Sequence, residues 1–109
     1  MPHSSEDDAV LQEIVDRIVQ TLHPTRIYLF GSQARGDATQ DSDYDLMVLV
    51  DRRNEPVLRL SRVGHRALWG LAASVDVVVW DREAFDARLH LKASLPSTVV
   101  REGKLLHAA

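Results

Sequence analysis

At 109 residues, 45% of them apolar and 27% charged, the chain is expected to form one soluble domain with a real core, too small to join a catalytic module to a separate substrate domain. No apolar run approaches the roughly 20 residues that cross a bilayer, cysteine is absent so disulfides and thiolate metal sites are excluded, and the start MPHSSEDD lacks a secretory signal, which makes the cytoplasm the expected location. Thirteen basic against sixteen acidic residues, a net charge of -3, argue against a broad electrostatic footprint for duplex nucleic acid.

Ser4 or Ser5, with Asp7 or Asp8 behind it, suits the start of a first helix. Leu11, Ile14, Val15, Ile18 and Leu22 then recur at helical spacing until His23-Pro24. Arg26 to Phe30 reads as a strand ended by Gly31, followed by a short helix from Ser32 to Arg35 and the polar run GDATQDSD. The next strand, Tyr44 to Val50, contains an unbroken LMVLV, the pattern of a strand covered on both faces. After a loop from Asp51 to Pro56, the residues Val57, Leu60, Gly64, Leu68 and Leu71 mark the buried side of a long helix up to Ala73. A third strand, Val75 to Trp80, opens with Asp76. A helix around Arg82 to Leu89, a linker containing Pro96, a short helix ending at Gly103 and an apolar segment at Leu105-Leu106 complete the chain. This order predicts an α/β sandwich: a small sheet packed against helices.

The most informative stretch is FGSQARGDATQDSDYDLMVLV, residues 30 to 50. Side chains two apart on a strand leave the same side, so Asp43 and Asp45 point together while Tyr44 points away. Two adjacent carboxylates repel, and a hard cation with oxygen ligands, such as Mg2+, relieves that repulsion; solvated turn carboxylates are the alternative. Gly31 permits a positive φ, and Ser32 offers its hydroxyl and N–H to an anion at a helix start, although a Gly-Ser pair taken alone reads rather as an ordinary strand-to-helix turn with Ser32 as N-cap. Asp76 reads either as a solvated strand end or as a third ligand. If all three acids serve one ligand beside Gly31-Ser32, the first two strands run antiparallel and the third runs parallel to the second through a right-handed crossover, giving a mixed sheet. Arg35 is within reach of a phosphate or of Asp37 and Asp41, and Ser42 either bonds the ligand or caps its turn. Arg59, Arg62 and Arg66 share one helical face, either an outward charged stripe or a dock for an acidic partner or RNA. The five histidines show no ligand spacing, and Trp69 and Trp80 read as core or interface anchors.

Gly31-Ser32, ten intervening residues, then Asp43-Tyr44-Asp45 resembles the signature of the DNA polymerase beta-like nucleotidyltransferase superfamily. The surrounding GSQARGDATQDSDYDL is most similar to its minimal nucleotidyltransferases, and the tail LPSTVVREGKLLH also matches, except that His107 stands where an aromatic is common. The resemblance implies a nucleotidyltransferase fold in which Asp43 and Asp45 bind two Mg2+ ions, Asp76 binds one of them and helps activate the attacking hydroxyl, and Gly31 and Ser32 hold the triphosphate. It further implies transfer of a nucleoside monophosphate, most commonly AMP from ATP, to a partner protein. Many such small proteins are the antitoxin of a HEPN ribonuclease toxin and adenylylate it. A non-catalytic binding module that neutralises or scaffolds a partner, and a transferase acting on a small molecule, are the alternatives.

Overall fold

In the computed structural model, residues 5–37, 43–51, 56–71 and 73–109 are described, and their elements follow the expected order. Helix α1 spans Ser5–Leu22, β1 Arg26–Phe30, α2 Ser32–Arg35, β2 Tyr44–Val50, α3 Val57–Ala67, β3 Val75–Asp81, α4 Arg82–Asp86, α5 Leu95–Glu102 and β4 Lys104–Ala108. The capping expected of Ser4 or Ser5, with Asp7 and Asp8, lies outside the residues whose side chains are described.

The four strands form one sheet in the order β3-β2-β1-β4. β1 pairs antiparallel with β2 and with β4, whereas β2 and β3 run parallel, so the mixed sheet and the strand directions inferred from the site are observed. α3 supplies the crossover from β2 to β3.

Strand alternation divides the sheet into two faces. On one, Ile27, Leu29, Tyr44, Leu46, Val48, Val50, Val77 and Val79 pack with Ile14, Val15 and Ile18 of α1 and with Leu68. On the other, Tyr28, Met47 and Leu49 meet Phe85 and Val99, which approach from the α4 and α5 side. The LMVLV run is buried throughout because it has neighbours on both faces. On the second face the cluster buries Met47 and Leu49 of β2, with the partly buried Val78 and Trp80 of β3 packed against it, and Asp43, Asp45 and Asp76 lie outside it.

β3 runs one residue beyond expectation, to Asp81, and three other boundaries differ more. α3 ends at Ala67 rather than Ala73: Leu68 N–H donates to the His65 carbonyl and Trp69 N–H to the Arg66 carbonyl, both at 3.2 Å, winding the chain into a tight turn. Its apolar pattern continues because Leu68 enters the core from that turn. Pro96 lies within the first turn of α5, where its missing N–H costs nothing, and the Ser94 side chain accepts from Ser97 N–H at 3.2 Å as the N-cap. α4 ends at Asp86, with successive turns up to His90 where helix to Leu89 was expected.

Leu105-Leu106 lies in β4, an edge strand joined to α5 by Gly103. A Cβ at Gly103 would meet the backbone carbonyl oxygens of both Val99 and Leu29, neither of which can move without breaking a helix end or a strand. Gly103→Ala is therefore expected to cost about 2 kcal/mol or more, measured by urea unfolding. A midpoint equal to the parent's would show that this junction relaxes freely.

Candidate active site

The sheet itself positions the acids. Asp45 is the Cα partner of Phe30 across β1 and β2, and of Asp76 across β2 and β3. Because neighbouring strands are about 4.8 Å apart, one edge of the sheet holds two carboxylates side by side, with Asp43 immediately before β2. Tyr44 is buried in the opposite face, as the alternation requires. Asp43 and Asp76 are exposed and Asp45 is partly buried.

Gly31 closes the group. It has φ 74° and ψ -156°, a conformation almost restricted to glycine, and a Cβ there would collide with the Asp45 carboxylate. The turn and the acid therefore form one unit. Gly31 also accepts from the N–H groups of Ala34 and Arg35, both at 3.1 Å, which starts the single turn of α2. Gly31, not Ser32, occupies the N-cap position, and no side-chain cap hydrogen bond is present. The reading of Ser32 as the cap is thus corrected: Ser32 is the first helical residue.

Arg35 is exposed, and its Nε donates to Asp37 Oδ2 at 3.3 Å. A solvated pair of this kind contributes little stability, about 0–1 kcal/mol, so exchanging it for a phosphate oxygen costs little. Ser42 lies outside the described residues.

Burial first, and then the charges of Asp76 and Asp43, push the Asp45 carboxyl above the usual carboxylate range, while Arg35 opposes the shift. Asp45 therefore senses the charge of both neighbouring acids. Among the described residues no group of three or more acids or histidines is gathered closely enough to hold a metal ion, the trio of Asp43, Asp45 and Asp76 included. The donor chemistry nevertheless fits a hard divalent ion: carboxylate oxygens only, adjacent on one edge, and mutually repelling without a cation.

With its pKa raised in the folded state, Asp45 keeps its proton to higher pH when folded than when unfolded. Stability is thus lost as pH rises from the ordinary carboxylate range to the raised value, and above it the ionised group opposes folding. Asp45→Asn is expected to raise the metal-free Tm near neutral pH by about 2 °C, a small figure because solvent screens this group. The gain should vanish near pH 3, where both states are protonated. A lower Tm for the variant near neutral pH would contradict the repulsion.

The Gly31–Asp45 contact escaped sequence reasoning, since neither strand encodes the register that creates it. The proximity of Asp76 was legible only through the assumption of a shared ligand.

Residues 11–106 match the family of the nucleotidyltransferase domain. Over 82 residues, 75% of this chain and 77% of the relative's, the sequence is 30% identical to the "Putative protein adenylyltransferase" of Methanocaldococcus jannaschii. The crystal structure of "a putative nucleotidyltransferase" from Sulfolobus solfataricus superposes with a TM-score of 0.57 at 27% identity, covering 72% of this chain and 70% of that one. A toxin–antitoxin structure with AMP-PNP superposes with a TM-score of 0.59 at 26% identity, covering 90% and 73%.

Proposed function

The chain belongs to the nucleotidyltransferase domain family, and from that premise we propose that it moves AMP from ATP onto a hydroxyl of a partner protein, as the antitoxin of a HEPN-type ribonuclease toxin. In the reaction the acceptor oxygen forms a bond to the α-phosphorus, the bond to pyrophosphate breaks, and the hydroxyl proton is released. The observation that carries this reading is the alignment of Asp45 with Asp76 across parallel strands, beside a glycine turn that no other residue could form without displacing Asp45.

Asp43, Asp45 and Asp76 are the residues to hold two Mg2+ ions, which when bound neutralise the triphosphate and stabilise the entering and leaving oxygens. Gly31 lets the backbone approach the phosphates, and Ser32 offers a hydroxyl and the N–H of a first helical turn. Asp76, exposed on the edge strand β3, would accept the acceptor's proton. Arg35 exchanges Asp37 for a phosphate oxygen. The "protein adenylyltransferase" name of one relative and the toxin–antitoxin and AMP-PNP context of another support the donor and the partner.

The test is to incubate the chain with the toxin encoded beside its gene, ATP and Mg2+, and to weigh the toxin. A gain of one or more AMP units is expected. A toxin that is inhibited but unchanged in mass would replace catalysis by binding alone.

A further inference from the structure

We propose that the outward face of α3 docks an acidic surface of the acceptor protein, an inference that rests on the reading of the chain as a protein-modifying transferase. Arg59, Arg62 and Arg66 are all exposed there, and the α3 sequence VLRLSRVGHRA contains no acid to pair with them. Among the described residues none of the three is in an ion pair, whereas Arg17, Arg26, Arg35 and Arg82 each are. The chain as a whole is acidic, so this positive stripe runs against its overall charge.

Two apolar side chains bracket the stripe. Leu58 is 65% exposed and Trp69 75%, the highest exposures of any large apolar residue among those described. At 100° per residue Leu58 and Arg62 lie about 40° apart on α3, away from the side on which Gly64 meets Leu22 and Val77, and Trp69 follows in the turn that ends the helix. Trp69 is not on a loose end: Arg17 Nη1 donates to its carbonyl at 3.0 Å and to that of Ala67 at 3.4 Å. Exposed Trp and Arg on a rigid support are the residues that dominate protein interfaces. Leu58 favours a protein over RNA, because an apolar side chain gains nothing against a phosphate backbone.

The stripe also leads to the chemistry. α3 returns the chain to the start of β3, so Trp69 lies at the end of the sheet that carries Asp76. A protein seated along α3 would bring a hydroxyl to that edge.

The probe is the purified toxin encoded beside the gene, with binding followed by calorimetry and transfer by mass. Arg62→Glu/Arg66→Glu is expected to weaken toxin binding at least tenfold and Trp69→Ala to do the same. Binding of Mg2+-ATP by each variant alone should stay at the parental level, and Arg62→Lys/Arg66→Lys should restore most of the toxin affinity. In transfer the KM for the toxin should rise by the same factor with kcat unchanged. If both variants bind the toxin as the parent does, if the parent does not bind it, or if the stripe is needed only for a single-stranded RNA of about 20 nucleotides, the docking surface is refuted. Loss of affinity in the variants with no AMP transferred by the parent would uphold the surface and sink the transferase reading. Transfer with an unaltered KM would do the reverse.

Discussion

Asp45→Ala is expected to lower nucleotidyl transfer by roughly 10³-fold, about 4 kcal/mol of transition-state stabilisation. Asp45 is the hub of the trio: it partners Asp76 across β3, stands two residues from Asp43, and faces Gly31. Its removal takes away the charge that would fix a cation between the other two. Asp45→Asn separates charge from shape, because it preserves the side chain's volume beside Gly31. A loss equal to that of alanine would assign the effect to charge. Asp43→Ala should fail similarly, and parental turnover with Mg2+ in either alanine variant would rule out the assignment of these acids.

Gly31→Ala should be the next most damaging change, for two separable reasons. The backbone conformation at φ 74°, ψ -156° costs a non-glycine residue about 1–3 kcal/mol, and the new methyl would collide with the Asp45 carboxylate. The expected result is a stability loss of about 2 kcal/mol together with a roughly 10²-fold loss of transfer, since displacing a reacting group slightly has effects of that size. A double-mutant cycle distinguishes the causes. Truncating Asp45 to alanine leaves its Cβ 3.5 Å from the point the new methyl would occupy, an ordinary contact, so Gly31→Ala should cost less stability in the Asp45→Ala background than in the parent. Strict additivity would mean that the carboxylate does not crowd the turn.

Much of this arrangement was legible before any coordinates. The LMVLV run announced a strand buried on both faces, and, on the assumption of one shared ligand, the positions of Gly31, Asp43 and Asp76 at strand ends implied which pairs are antiparallel and which parallel. What escaped depended on long-range geometry or on solvent. β4 is a half-exposed edge strand whose Leu105 faces outward, so it carries no clean alternation to reveal it. The end of α3 was hidden because Leu68 continues the apolar period while the backbone has already left the helix. Pro96 looked like a linker because the cap that makes it a helix start, Ser94, is one of many serines in the chain. The environment of Asp45, more buried than that of Asp43 two residues away, emerges only when the sheet register is known.

The most direct test of the shared site uses Mn2+ as a paramagnetic substitute for Mg2+ on nitrogen-15-labelled protein. Substoichiometric Mn2+ should broaden the amide signals of Gly31, Ser32, Asp43, Asp45 and Asp76 before all others, more so with a non-hydrolysable ATP analogue present, and excess Mg2+ should restore them. Broadening centred on another acidic group, such as Glu83 and Asp86 of α4, or no selective broadening at all, would contradict the claim that these three acids and the glycine turn hold metal and triphosphate together.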